Sequence, residues 1–227
     1  MATEAWWAFG AGAILGVAAG SAAVAWWAGG CIGQLRRRLT AGEVERQSLE
    51  QRAATDELTS LTNRRGARAQ LRALNNHAAA QLAVFWCDID HFKRVNDIHG
   101  HAAGDEVLEQ LADRLRKSLR SAEDLAARMG GDELLVALHG VQSIEAAIEI
   151  AERLRRSAEP PIETAAGPVQ VSLSIGVTLA APLEPTDQVL ARADRAMYRA
   201  KHEGRNRVVA IAADDATPIG QPHGASG

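Results

Sequence analysis

Two glycines followed at once by two carboxylates, Gly130-Gly131-Asp132-Glu133, separate the apolar runs Leu125-Ala126-Ala127 and Leu134-Leu135-Val136-Ala137-Leu138. Glycine reaches the positive φ of a tight turn, so the pattern predicts a β-hairpin with both acids at its tip. Adjacent acids on a rigid turn repel one another unless a positive charge sits between them, and oxygen ligands suit a hard divalent cation. A solvated hairpin tip accounts for the bare tetrapeptide equally well. A third acid, Asp88, ends the apolar run from Leu82 to Cys87 and leads into Ile89, Asp90, His91, Phe92, Lys93, Arg94, Val95, Asn96 and Asp97. A carboxylate at a strand end lies at the rim of a sheet, where ligands bind in many α/β folds. If the two strands are neighbours, Asp88 shares a cation with the hairpin acids. Acids from separate strands holding one or two Mg²⁺ ions are a recurrent device for nucleotidyl transfer. Lys93 adds a phosphate-seeking charge. Lys201, Arg205 and Arg207 flank Gly204 at a helix end, where cations also favour the helix dipole.

Elements that would position these residues can be read from the periodicity. The spacing predicts helices over 63–77, 104–119, 144–156 and 186–201, and strands over 82–87, 169–177 and 208–211 besides the hairpin. Strand, helix, hairpin, helix, strand implies an α+β mixed sheet with flanking helices. The tail from 213 to 227 is rich in Ala, Gly, Pro and Asp, a composition expected to stay disordered.

The amino end differs in kind. No charged residue occurs from Ala5 to Leu35, a run longer than the ~20 residues that cross a bilayer. Trp6-Trp7 and Trp26-Trp27 bracket it, offset by about 30 Å along a helix at ~1.5 Å per residue, so the indoles suit the two interfaces. Arg36-Arg37-Arg38 follows, and only Glu4 precedes, which orients the carboxyl side to the cytoplasm and argues against a cleaved signal peptide. Residues 1–4 would be a short extracytoplasmic end, 5–35 a transmembrane helix and 36–58 a helical connector. Gly12, Gly16 and Gly20 recur every four residues, a spacing that lets two such helices approach, though membrane segments are often rich in glycine anyway.

The net charge of −3 and the lack of a basic stripe argue against nucleic acid as a partner. The two cysteines, Cys31 and Cys87, stand far apart without zinc-type spacing, which excludes a disulfide framework.

Seven blocks, in order, resemble the GGDEF-domain diguanylate cyclases. They are Asp56-Glu57-Leu58-Thr59-Ser60-Leu61-Thr62-Asn63-Arg64-Arg65, the run from Asp88 to Asp97, Gly100-His101-Ala102-Ala103-Gly104-Asp105, the Gly-Gly-Asp-Glu turn, Ser174-Ile175-Gly176, Ala193-Asp194-Arg195-Ala196-Met197-Tyr198, and Lys201 with Gly204-Arg205-Asn206. The resemblance covers about residues 55–210 within a catalytic domain bounded at 59–212. It implies a palm-like, ferredoxin-like fold of the nucleotide-cyclase kind, and the condensation of two GTP into cyclic di-GMP with release of two pyrophosphates by a homodimer. It implies that Asp88, the carbonyl of Ile89, and Asp132 or Glu133 hold Mg²⁺ (or Mn²⁺). The acid not so used is a candidate base, which leaves the assignment between Asp132 and Glu133 open. It further implies that Asn96 and Asp105 contact guanine, and that Phe92, Lys93, Lys201 and Arg205 meet phosphate. With the membrane segment, it places a single-pass protein in the bacterial inner (cytoplasmic) membrane with its catalytic domain in the cytoplasm.

Departures from the family pattern carry their own expectations. Leu134 stands where Phe is usual and acts through packing; Met129 replaces a common aromatic residue. Ser60 and Thr62 replace Gly and Pro, which loosens the turn there. Asp124 keeps the acid of an inhibitory Arg-x-x-Asp site, but Ser121 occupies the Arg position and Arg120 lies one residue off, so product inhibition at this site is expected to be weak or absent. Leu134 and Ser121 also motivate a second reading, a degenerate module that binds GTP or a partner without turnover.

Overall fold

A computed structural model describes residues 54–75, 81–121 and 123–213. The chain runs β1 (Thr62–Asn63), α1 (Arg64–Asn75), β2 (Leu82–Ile89), α2 (Phe92–His99), α3 (His101–Arg116), β3 (Leu125–Gly130), β4 (Glu133–His139), α4 (Ile144–Ser157), β5 (Ile162–Thr164), β6 (Gly167–Val169), β7 (Leu173–Leu179), α5 (Thr186–His202) and β8 (Val208–Ala210). Six strands form one sheet in the order β1-β3-β4-β2-β7-β8, and β5 and β6 form a separate hairpin. β1 with β3 and β7 with β8 are parallel and the other pairs antiparallel, the expected mixed α+β sheet.

Every residue of β2 is buried because helices cover both faces of the sheet, which is why it reads as a continuous apolar run. Ala83, Phe85, Cys87 and Ile89 pack with Val107, Leu108 and Leu111 of α3 and Leu154 of α4. Leu82, Val84 and Trp86 pack with Leu71 of α1 and Leu190 and Met197 of α5. Side chains alternate along a strand, so Asp88 belongs to the α5 face. α5 comes close there because of Gly176: a Cβ on that residue would lie 2.1 Å from the carbonyl oxygen of Ala193 and 2.2 Å from the amide nitrogen of Met197.

Several elements differ from their expected bounds. The segment after Asp88 forms an extra helix, α2, and the following helix starts at His101 and ends at Arg116 rather than spanning 104–119. The strand expected over 169–177 is two strands. Ser172, between them, turns its carbonyl to the amide of Asp90 and its hydroxyl to the Asp90 carboxylate. Residues 54–58, read as the end of the connector helix, are not helical but lead into a turn. Asp56 closes it, accepting from the Thr59 amide at 2.9 Å and hydroxyl at 2.7 Å, while its own amide donates to the Leu61 carbonyl at 2.8 Å. The turn is therefore not loosened by Ser60. That residue instead sits at φ 55°, where a side chain is strained and glycine is not.

A compact unit begins at Ala54. The span 5–35 with Gly12, Gly16 and Gly20, the connector up to residue 53, and the tail from 214 lie outside the described residues. Among the described residues, no helix is long and apolar enough to cross a membrane.

Two substitutions test these packing arguments in chemical denaturation. Gly176→Ala drives a methyl group into backbone atoms and lowers stability by about 1–3 kcal/mol. Ser60→Gly relieves left-handed strain of roughly 1–2 kcal/mol against an unfolded-state entropy cost of about 0.4–1 kcal/mol, so stability rises by up to about 1 kcal/mol. An unchanged midpoint for either variant contradicts the corresponding argument.

Candidate active site

The β2–β4 register sets Asp88 directly opposite Glu133, and β7 brings Ser174 to the other side of Asp88. Glu133 is the first residue of β4, so the tip of the hairpin consists of Gly131 and Asp132. Gly131 has φ 47°, as the first position of a two-residue hairpin turn requires. The Ile89 amide donates to the Asp132 carbonyl at 3.3 Å, tying the turn to the end of β2. Arg128 clamps it from behind: its Nε and Nη2 donate to the Gly131 carbonyl at 3.0 and 2.8 Å, and its Nη1 donates to Asp56 at 3.2 Å. Leu134 is completely buried opposite Cys87, and the register runs unbroken past it to the Asp88–Glu133 pair. The β2–β4 pairing that sets Asp88 against Glu133 is therefore intact with leucine in place of the usual phenylalanine, while β3–β4 shifts register between Arg128 and Gly130.

Electrostatics concentrate on this rim. Asp88 is 3% exposed. Burial pushes its carboxyl up to about 6, a rise opposed by the hydrogen bond from Lys201 and assisted by repulsion from Asp132 and Glu133. Lys201, from the last turn of α5, places Nζ 2.6 Å from Asp88 Oδ2. Glu133 is also raised, first by burial and then by Asp194 and Asp132, with Lys201 and Arg64 opposing. Burial raises Asp194, and Lys201 opposes that shift. One lysine thus answers several acids whose charge is only partly compensated.

That imbalance, together with hard oxygen donors from Asp88, the Ile89 carbonyl, Asp132 and Glu133, suits a divalent cation. Among the described residues, no three His, Cys, Asp or Glu side chains converge as a ready metal-binding group. A cation here would rest on few carboxylates, a carbonyl and its own water, the manner in which Mg²⁺ is usually held.

The other expected residues lie around the same end of β2. Phe92, half-buried, and Lys93, exposed, open α2; Asn96 lies one turn on, half-buried, and Asp105 is exposed near the start of α3. Gly100, at φ 85°, turns the chain between these helices, and its amide donates to the Asn96 carbonyl at 2.9 Å. Arg205 is exposed just past α5. The side chains of Lys93 and Arg205 make no hydrogen bond or ion pair among the described residues, in contrast to Lys201. A groove of about 470 Å³ lined by Arg94, Ile98 and Val171 includes none of the three acids.

Some working residues escaped the sequence reading. Asp90 is 5% exposed and accepts from the hydroxyls of Ser172 and Ser174, both at 2.6 Å, and from the Asn206 amide at 3.0 Å. It anchors the segment beyond α5, where Arg205 and Asn206 hold left-handed backbone at φ 62° and 44°. Its even spacing from Asp88 was the available signal. Arg64 gave none, and neither did the link from Arg128 to Asp56, since Glu133 and Asp56 are distant from them in sequence. Asp124 serves locally: it accepts from the amides of Arg120 at 2.7 Å, Ser121 at 3.2 Å and His139 at 3.1 Å, while Arg120 Nη2 donates to the His139 carbonyl at 2.7 Å.

The chain matches the family described as "Diguanylate cyclase, GGDEF domain" over residues 53–207. It is 43% identical over 162 residues to diguanylate cyclase DgcP of Pseudomonas aeruginosa, covering 70% of this chain and 24% of that one. It is 45% identical over 168 residues to diguanylate cyclase TpbB of the same species, covering 71% and 38%. The chain thus spans less than half the length of these curated relatives. Among solved structures, the isolated GGDEF domain of TpbB superposes with a TM-score of 0.64 at 41% identity, covering 69% of this chain and 93% of that one. Diguanylate cyclase SiaD of Pseudomonas aeruginosa, solved with its activator SiaC, gives a TM-score of 0.74 at 27% identity, covering 92% and 81%. Matches of this extent, over the stretch that folds as one unit from Ala54, make the chain a member of the GGDEF-domain diguanylate cyclase family.

Proposed function

We propose that the chain is a diguanylate cyclase that joins two GTP molecules into cyclic di-GMP and releases two pyrophosphates. The observation that carries this reading is the pairing of Asp88 at the end of β2 with Glu133 at the start of β4, with Asp132 on the turn beside them and Lys201 against Asp88. Each catalytic domain of a homodimer holds one GTP. The 3′-hydroxyl of each nucleotide attacks the α-phosphorus of the other in line; in each attack a new P–O bond forms, and the bond from that phosphorus to the bridging oxygen of the pyrophosphate breaks.

Bound Mg²⁺ or Mn²⁺ would supply neutralisation of the charge that develops on the phosphate oxygens. Asp88, the Ile89 carbonyl and Asp132 are the residues to hold it. Glu133, whose carboxyl is raised above its usual range, is the better acceptor for the hydroxyl proton. Asn96 and Asp105 read guanine: a carboxylate accepts from its N1–H and exocyclic amino group, and adenine offers no such edge. Phe92 packs beside the phosphates, while Lys93, Lys201 and Arg205 draw them in. Lys201 has two roles, since it neutralises Asp88 in the nucleotide-free chain and must turn outward to reach phosphate.

The same reading tethers the domain to the inner membrane through residues 5–35, with the domain in the cytoplasm. Pairing along Gly12, Gly16 and Gly20 would raise the effective concentration of the two half-sites. It also leaves the product without an inhibitory site at Asp124, whose oxygens already accept from the amides of Arg120, Ser121 and His139.

Purified full-length protein with GTP and Mg²⁺ is expected to form cyclic di-GMP; none formed by the dimer overturns the proposal. Asp88→Asn should lower product formation about a hundredfold or more, in the range seen when a group that stabilises transition-state charge is removed. Its thermal midpoint in metal-free buffer should equal or exceed that of the wild type, because an ionised buried acid is replaced by a neutral amide. Lys201→Met should bind Mn²⁺ roughly fivefold more tightly without nucleotide, an ion pair of this exposure being worth about 1 kcal/mol, and should bind GTP more weakly. Equal Mn²⁺ affinity, measured by titration calorimetry, contradicts the double role of Lys201.

A further inference from the structure

We infer that Gly104 is a specificity-determining positioning residue: the absence of its side chain provides the space in which Asn96 is held to read the guanine base. The inference rests on the reading of Asn96 and Asp105 given above and extends it to a residue that touches no substrate.

Gly104 is buried in the first turns of α3, against α2. A Cβ built there would lie 1.9 Å from Asn96 Oδ1, 3.0 Å from Asn96 Cγ and 3.3 Å from Phe92 Cζ. No real pair of atoms tolerates the first of these distances. The glycine is not required by its backbone, which is helical and lacks the positive φ of Gly100 or Gly131. Nor does helix stability favour it, since alanine is the better residue in a helix interior. Ala102 and Ala103, the two residues before it, show that this turn of the helix accepts methyl groups.

What a methyl group would meet decides the consequence. At Gly176 it meets backbone of a packed helix, so the fold must give way. At Gly104 the closest atom is the far end of an asparagine side chain, which can swing aside at little cost to the fold. The part displaced is therefore the amide group itself. Asp105 follows at once in the chain, so a base placed by its carboxylate would find the amide of Asn96 turned away. The 3.3 Å approach to Phe92 asks only a few tenths of an ångström of that ring. The glycine thus trades helix stability for the placement of one amide.

The test is Gly104→Ala in the full-length protein, alone and combined with Asn96→Ala. Steady-state kinetics with GTP and ITP, which lacks the exocyclic amino group, are measured beside thermal unfolding. In Gly104→Ala the KM for GTP should rise about tenfold, the scale of one lost hydrogen bond, and the preference for GTP over ITP should shrink. kcat at saturating GTP should change less than KM, and the melting temperature should be unchanged or higher. In the Asn96→Ala background, Gly104→Ala should add nothing to KM, because the side chain it displaces is gone. A KM for Gly104→Ala equal to that of the wild type overturns the inference, as does the same KM increase with Asn96 already removed. A wild-type protein that binds ATP as well as GTP overturns the guanine reading itself, a result distinct from either.

Discussion

The site depends on how a buried carboxylate is kept at the end of the central strand. Asp88 is nearly inaccessible, and two further acids stand across from it on the hairpin. Left alone, such a group would hold its proton or open the strand end to water. Lys201 opposes the first by reaching back from the last turn of α5. The position of α5 therefore matters to the charge balance as well as to the core, and that position is set by Gly176, which lets helix backbone lie on strand backbone. A packing feature in the middle of the sheet thus fixes where the lysine at the rim can reach.

Around this centre the loops are held by polar ties rather than by apolar burial. Arg128 links the hairpin carbonyl at Gly131 to Asp56, which itself closes the turn leading into β1. Asp90 links β7 to the segment carrying Arg205 and Asn206. Each tie joins residues far apart in sequence, and each meets the turn or loop at backbone as well as side chain. The strain at Ser60, Arg205 and Asn206 is tolerable because these contacts over-determine the backbone there. The backbone on either side of the acids is consequently held in place, the kind of preorganisation on which an electrostatic site depends.

Much of the fold was legible because burial on both sheet faces leaves strong apolar runs. β2, the hairpin, α4, α5 and β8 follow from that pattern to within a residue or two. α2 was missed because Phe92, Lys93, Asn96 and Asp97 interrupt the apolar spacing, and only Val95 among its eight residues is buried. The run from Val169 to Val177 alternates like one strand, yet Ser172 spends its groups on Asp90 and breaks the ladder. Periodicity registers which side chains are apolar and is blind to a hydrogen bond made with a distant loop.

The sequence by itself determined the residue types and their order: the hairpin from Gly130 to Glu133, the acid at the end of β2, the pair Asn96 and Asp105, and the cations after Ala200. These are local properties, set by backbone freedom, charge and spacing. Only the tertiary structure decided that Asp88 faces Glu133, that Lys201 rather than Lys93 or Arg205 is the cation in contact, and that Leu134 leaves the β2–β4 register intact. It also decided what the glycines are for: turning at Gly131, backbone contact at Gly176, and room for an amide at Gly104. Those outcomes depend on which strands and helices become neighbours, and spacing along one chain does not encode the distance across two.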